Sequence, residues 1–188
     1  MNTKLKKVLV TGLAVLSVGW IAGKAQAAST DTITISLTPN TTYAVTISSA
    51  YIGGYNFGLV NLNSTTVSTV AITLTNSGSI YEFFAISVSS PSSGGWFPSA
   101  VGPSTDTFRL SGMFNTPGQP TQGNASFSAL TNTAPTNGNG LYGQASKTSP
   151  TAGSNTQKLW LQMDMPFTLN AGGSGPQTVT VSVTGQAT

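Results

Sequence analysis

The acidic side chains are the first candidates for chemistry in this sequence. The 188-residue chain has no histidine and no cysteine, so the commonest general base, the usual zinc ligands and every Ser–His or Cys–His arrangement are missing. Enzymes that lack both residue types are chiefly glycosidases, which use two carboxylates. Only four acidic residues are present, Asp31, Glu82, Asp106 and Asp164. An enzyme built from them would pair Glu82 with Asp106 or Asp164.

Each of these carboxylates also has a structural explanation. Glu82 alternates with apolar residues and could be an acid held in an apolar face with a raised pKa, but a strand-end charge that reaches water is the favoured interpretation. We expect Asp106 to make a surface or turn contact, and Asp164 to cap a turn. No Asp-rich loop offers the oxygen ligands that calcium needs. We therefore predict no enzyme activity, no metal site and no cofactor.

Three aromatic residues offer a binding function instead. Trp96 and Phe97 lie in a Ser- and Gly-rich loop, and Tyr142 lies in a Thr-, Asn- and Gly-rich stretch. Exposed aromatic faces stack on sugar rings, so these three are the candidate glycan contacts of a carbohydrate-binding module. The alternative is that Trp96 and Phe97 fold back and close one end of the domain, as large aromatic residues commonly do.

The first 27 residues predict export. Three lysines among the first seven residues precede an apolar run from Val8 to Gly23, and Ala25-Gln26-Ala27 supplies an A-x-A cleavage site. These are the three parts of a secretory signal peptide. The run is too short and too rich in glycine for a spanning helix. We expect cleavage after Ala27, no membrane span in the mature chain, and a location in the periplasm, at the cell surface or in the medium.

Cleavage changes the charge of the chain. Of the seven cations only Arg109, Lys147 and Lys158 remain, against four anions. Three scattered cations cannot form a phosphate-binding surface, so nucleic acid is excluded as a partner. Without cysteine there are no disulfides, and the remaining 161 residues must be stabilised by packing and backbone pairing as a single domain, residues 28–188.

The mature sequence predicts an all-β fold. Residues that build helix surfaces are scarce, whereas Thr and Val are abundant and apolar residues repeat with a period of two. About eight short strands favour a two-sheet antiparallel β-sandwich, immunoglobulin-like or jelly-roll. The predicted strands are Thr32–Leu37, Tyr43–Ser48, Tyr55–Val60, Val67–Thr75, Ile80–Val88, Thr107–Phe114, Lys158–Asp164 and Thr178–Thr184.

A turn and a long irregular segment separate some of the predicted strands. The alternating runs on either side of Asn76-Ser77-Gly78-Ser79 predict a β-hairpin over residues 70–88. Residues 115–157 lose the alternation and form a long Thr-, Asn-, Gly- and Pro-rich excursion, with one short strand expected near Ser126–Leu130.

The runs Ser68–Glu82 and Lys158–Pro166, with the terminal Thr-Val-Thr-Val-Ser-Val-Thr184, resemble exported bacterial β-sandwich proteins of uncharacterised role. More distantly, they are similar to secreted matrix and pilus-type fibre subunits. The resemblance covers about half of the mature chain. It implies a secreted, non-enzymatic structural or surface-assembly protein, whose partners are copies of itself or other surface proteins.

The first predicted strand suggests how subunits would join. Its residues are Thr32, Ile33, Thr34, Ile35, Ser36 and Leu37, and it begins a few residues after the predicted cleavage site. Strands near free ends are easily donated to an open sheet edge of a neighbour. Low charge also leaves little repulsion between subunits. We therefore expect polymerisation by exchange of this strand, with carbohydrate binding as the alternative function.

Overall fold

The computed structural model describes residues 36–51, 53–89, 92, 94–114, 118–133, 141–144, 147–170 and 175–187. The chain divides into two compact units, Met1–Pro39 and Asn40–Thr188, and every described strand belongs to the second. The predicted signal peptide and residues 32–35 of the first predicted strand lie outside the described residues. No helix within the described ranges has the length and hydrophobicity that crossing a bilayer requires.

The prediction of an all-β fold is confirmed. Helix within the described residues amounts to two 3-10 turns, Ser49–Tyr51 and Leu141–Gly143. The strands are β1 (Val45–Ile47), β2 (Thr65–Val67), β3 (Ile72–Asn76), β4 (Phe83–Val88), β5 (Phe97–Pro98), β6 (Thr107–Phe114), β7 (Ser128–Ala129), β8 (Thr156–Asp164) and β9 (Val181–Gln186).

The strands form one large sheet and one small sheet. The large sheet has the order β1-β3-β8-β6-β5, with β2 also paired to β8 and β7 to β6. The small sheet contains β4 and β9. All named pairings are antiparallel except β5 with β6, which is parallel. The large sheet is therefore mixed, which departs from the purely antiparallel arrangement that the sequence predicts.

The core lies between the two sheets. Both sheets contribute fully or nearly fully buried apolar side chains, and three further residues from the connections complete the cluster. The large sheet supplies Ile72, Leu74, Phe108, Leu110, Phe114, Leu159 and Leu161; the small sheet supplies Phe84, Ile86 and Val88; the connections supply Trp96, Leu130 and Tyr142. Burial of this apolar set is the main favourable term in the folding of a chain without disulfides.

The pair β6 and β8 forms the centre of the large sheet. They match the predicted strands closely, because long alternating runs bury one face whatever the surrounding topology. Trp160 lies opposite Met113 across this pair, and both side chains are buried outside the main cluster. Packing around Gly112 is tight, because a Cβ there would meet the side chains of Leu159 and Leu130 at 3.3 and 3.4 Å.

The predicted hairpin over residues 70–88 is wrong. β3 pairs with β1 and β8, whereas β4 pairs with β9 in the other sheet. The cause is the Asn76 side chain, whose amide donates to the carbonyls of Ile80 at 2.8 Å and Thr148 at 2.9 Å and accepts from the Gly78 N–H at 2.9 Å. These bonds fix a turn that moves the chain from one sheet to the other.

Two other predicted strands also differ from the structure. Residues 55–60 form no strand, because the Asn56 side chain accepts from the Gly58 N–H at 2.7 Å and Gly58 turns the chain at a φ of 72°. The predicted strand Val67–Thr75 is split into β2 and β3. Between them the buried Ser68 replaces regular pairing: its backbone donates to Leu161, and its hydroxyl accepts from the Leu161 N–H at 3.1 Å.

The excursion at 115–157 contains the predicted short strand. β7, Ser128–Ala129, falls within the expected range and pairs with β6. The excursion also supplies Leu130, Tyr142, Gln144 and Thr148, all of which are buried. It is therefore an integral part of the core, which its polar composition did not indicate.

We expect Asn76→Asp to destabilise the domain strongly. The substitution keeps the shape of the side chain but turns a buried double donor into an acceptor that faces two carbonyl oxygens. Loss of two buried hydrogen bonds, with two acceptors left unpaired, costs about 2–4 kcal/mol. Urea unfolding followed by tryptophan fluorescence measures the change.

Asn124→Asp is the matched control. Among the described residues the Asn124 side chain accepts a bond from the Ser126 N–H at 2.9 Å and donates none, and an aspartate can accept the same bond. Equal unfolding midpoints for the two variants would contradict the role given to the Asn76 amide.

Candidate functional site

Strand β4 is hydrogen-bonded along both edges, although only one neighbour is a strand. The backbone N–H and C=O groups of its odd-numbered residues point towards β9, in a regular antiparallel register that runs from Phe83 opposite Gln186 to Ser87 opposite Ser182. Its other edge is met by the excursion, partly through side chains. The bonds are Val88 N–H to Thr131 O at 2.8 Å, the Tyr142 hydroxyl to Ile86 O at 3.0 Å, Phe84 N–H to Gln144 Oε1 at 3.0 Å, and the paired backbones of Glu82 and Thr148.

These contacts close one edge of the small sheet. Buried backbone groups must find partners, and here the excursion supplies them without forming a continuous strand. Gln144 is itself held by a bond from its amide to the Thr148 hydroxyl at 3.0 Å. Within the described part of the chain, the small sheet can therefore be extended only at β9.

The outer edge of β9 is open within the described part of the chain. Ser89 N–H donates to Thr180 O at 2.8 Å, so the even-numbered residues of β9 direct their backbone groups towards β4. The backbone N–H and C=O groups of Val181, Val183 and Gly185 consequently face away from β4. No described strand pairs with them. They form a row of donors and acceptors suited to another strand.

Strand β1 presents a similar edge close by. It pairs with β3 on one side only, and the bonds Ser77 N–H to Ala44 O and Ser48 N–H to Thr73 O leave the backbone groups of Val45 and Ile47 directed outwards. Cα atoms of β1 and β9 approach within 8 Å. We call the region between these two edges, Val45–Ile47 and Val181–Gln186, the β1–β9 seam.

Apolar side chains at the β1–β9 seam are incompletely covered. Four of them contact the core cluster but are only partly buried, in contrast to the fully buried apolar residues of β4: Val45, Ile47, Val181 and Val183. The seam thus combines two open backbone edges with apolar surface that an added strand would bury.

Glu82 lies beneath the β1–β9 seam with its carboxyl group buried. The residue has no exposed surface, and neither carboxyl oxygen has a hydrogen-bond partner of normal geometry among the described residues. A Cβ on Gly185 would overlap the carboxyl, so a larger residue there would displace the Glu82 side chain. Burial raises the pKa of Glu82 to about 7, and the nearby Ala44 N–H lowers this pKa only in part. The expectation that Glu82 reaches water is therefore wrong.

The other two candidate acids take part in structural contacts. Asp164 forms an ion pair with Arg109, directly opposite on β6, at 2.5 Å from Nη2 and 2.6 Å from Nε; the turn cap that the sequence suggested is not found among the described residues. Asp106 accepts from the backbone and side-chain amides of Asn170, which agrees with the expected turn contact.

Glu82 does not meet Asp106 or Asp164, which lie together at one end of the large sheet: Asp106 directly precedes β6, and Arg109 of β6 is opposite Asp164. The Asn76 side chain and the Glu82 backbone both bond to Thr148, so the two residues are close neighbours. Asn76 is also bonded to Asn155, which directly precedes β8, whereas Asp164 is the last residue of β8. Eight residues of extended chain span about 26 Å. This separation is far beyond the reach of a carboxylate pair for glycoside hydrolysis.

The structure does not bring the three candidate glycan contacts together at the surface. Trp96 and Tyr142 are 7% and 4% exposed and belong to the core cluster, whereas Phe97 is 52% exposed on β5. Tyr142 has a φ of 54°, which is unusual for a bulky residue, and its buried ring and hydroxyl bond to β4 compensate for that conformation.

The β1–β9 seam and the contacts of Tyr142 and Gln144 with β4 are the parts that sequence reasoning missed. The alternation in residues 178–184 predicts a strand but carries no information on its number of neighbours. Gly185, directly after that run, is the one residue that could have indicated a close approach to a buried group.

We expect Glu82→Gln to remove a pH dependence of stability. Below pH 4.5 the carboxyl is neutral in both folded and unfolded states. Between about pH 4.5 and 7 the unfolded state releases its proton while the folded state retains it, so the free energy of unfolding of the native chain falls with rising pH. The loss is at most about 3 kcal/mol and is constant above pH 7. Urea unfolding at pH 4, 5.5, 7 and 8.5 measures it.

The native chain, unfolded in urea at the same four pH values, is the reference for the variant. If Glu82→Gln kept the native pH dependence, the Glu82 carboxyl would not be buried in solution.

Comparison with known proteins adds no family assignment, since neither a described protein family nor a curated protein sequence matches the chain.

Proposed function

We propose that this chain is an exported, non-enzymatic structural subunit that assembles on or outside the cell surface by exchange of the terminal strand Thr32–Leu37. The observation that supports this most directly is the open outer edge of β9, which ends a two-stranded sheet near the end of the chain. An incoming strand can pair with such an edge through main-chain hydrogen bonds. We also propose that the mature chain is an immunoglobulin-like or jelly-roll sandwich and that the signal peptide is cleaved from it.

The composition of the edges supports assembly. Natural proteins usually protect an open edge with charged residues, proline or a bulge. Neither β9 nor β1 contains a charged residue or a proline. Both edges are therefore unprotected against pairing with another chain.

Carbohydrate binding receives less support from the same structure. A stacking platform needs aromatic faces in solvent, and of the three candidate residues only Phe97 is substantially exposed. An enzyme that pairs Glu82 with Asp106 or Asp164 is disfavoured because neither of these carboxylates is near it.

Light scattering and negative-stain microscopy on residues 28–188 test the proposed function. We expect concentration-dependent regular assemblies from the native chain. The double variant Ile33→Asp/Ile35→Asp should remain monomeric, because it places two charges on the apolar face of the donated strand.

Thr32→Asp/Thr34→Asp adds the same charge to the polar face of that strand and should assemble at a concentration within about tenfold of the native one. If the native chain stayed monomeric at every concentration, or if all three proteins assembled equally, exchange of this strand would be excluded. Mass spectrometry of the secreted protein should find Ala28 at the N-terminus.

A further inference from the structure

We infer that the acceptor for the exchanged strand is the β1–β9 seam, where residues Thr32–Leu37 of a second copy of this chain pair with the outer edge of β9. The inference rests on the proposed function and goes further, because it names the partner surface. It predicts that each subunit supplies one strand and receives another, so that the contacts run head to tail. Head-to-tail contacts of this kind generate filaments or rings.

The outer edge of β9 offers backbone hydrogen-bonding groups to the donated strand. The backbone groups of Val181, Val183 and Gly185 face outwards without a partner strand among the described residues. β4, the other strand of the small sheet, cannot accept because the excursion occupies its free edge. At the opposite edge of the large sheet β5 has only two residues, one of them a proline. The β1–β9 seam is therefore the longest unprotected edge in the described ranges.

Pairing of the donated strand with β9 would also bury apolar side chains. In a sheet, side chains of adjacent strands line the same face in step, so Ile33, Ile35 and Leu37 on β9 would continue the row that Val181 and Val183 begin. Those valines contact the core but are only partly buried. Leu37, the one member of the donated apolar row within the described residues, is 88% exposed. Pairing would cover apolar surface on both sides.

Length and charge agree with this occupant. The donated run has six residues, Thr32–Leu37, and β9 also has six, Val181–Gln186. Each spans about 20 Å when extended. Both stretches lack charged side chains, so their close approach involves no repulsion and no desolvation of a charge.

The distance between β1 and β9 determines where the donated strand can pair. Two strands that flank a third lie about 9.6 Å apart, whereas Cα atoms of β1 and β9 approach within 8 Å. We therefore place the donated strand on β9 and expect β1 to move outwards by about 2 Å where the two strands are closest. β1 has only three residues and pairs with one neighbour, so it is the element best able to move.

Disulfide capture between different copies tests the acceptor directly, since the native chain has no cysteine. Donor proteins carry Ile33→Cys or Ile35→Cys, and acceptor proteins carry Val181→Cys or Val183→Cys; the two donors and two acceptors sample the possible registers. The acceptor copies are labelled with nitrogen-15. Donor and acceptor are mixed as monomers, allowed to assemble and oxidised, and disulfide-linked peptides are identified by mass. Phe97→Cys on β5 is the control acceptor, because it is exposed but lies at the other edge of the large sheet.

We expect linked peptides between labelled and unlabelled copies for at least one donor with β9, at a yield at least tenfold above that with Phe97→Cys. If assembly required Ile33 and Ile35 but β9 captured no donor, strand exchange would stand and the acceptor would be wrong. If a chain carrying both cysteines formed an internal disulfide as a monomer, its own N-terminal segment would fill the seam and the inference would be overturned. If no assembly formed at all, the proposed function itself would fail.

Discussion

The structure depends on the need of β4 for hydrogen-bond partners at both edges. Phe84, Ala85 and Ile86 are completely buried, so an unpaired backbone group in this strand would have no access to water. β9 satisfies one edge with a regular ladder. The excursion satisfies the other with one backbone bridge, one backbone carbonyl and two side chains. This single constraint explains why a polar, irregular segment is part of the core and why the small sheet has only one edge left, at β9.

Glu82 is the point at which the structure departs most from ordinary rules. A buried carboxyl without a hydrogen bond of normal geometry among the described residues is costly, and here it lies beneath Gly185, at the end of β4 and below the open seam. Asp106 and Asp164, the other acids within the described residues, lie at the far end of β6 and β8 from it. The most unusual side chain of the domain therefore lies next to its most exposed backbone edge. Departures from local consistency often mark functional sites, and this coincidence favours the seam over the aromatic residues as the functional surface.

Sequence patterns predicted the two long central strands well, some shorter strands incorrectly, and strand partners poorly. Thr107–Phe114 and Lys158–Asp164 could be recognised because alternation reflects burial of one face, which any sheet position requires. The hairpin at Asn76 failed because the same turn residues serve a sheet-to-sheet crossing when the Asn76 side chain bonds to Thr148, 72 residues away in sequence. The burial of Glu82 and of Tyr142 could not be predicted for the same reason. Each depends on the excursion, whose composition indicates a loop while its contacts lie in the core.

Hydrogen–deuterium exchange of individual β9 amides, compared between monomer and assembly, tests the central claim most directly. In the monomer the Val181, Val183 and Gly185 amides should exchange rapidly while those of Ser182 and Thr184, directed at β4, are protected. On assembly the first group should become protected by at least a hundredfold, since each gains a backbone partner. Protection of Val181 and Val183 already in the monomer, or their continued rapid exchange in the assembly, would contradict an open seam that receives the strand of a second copy.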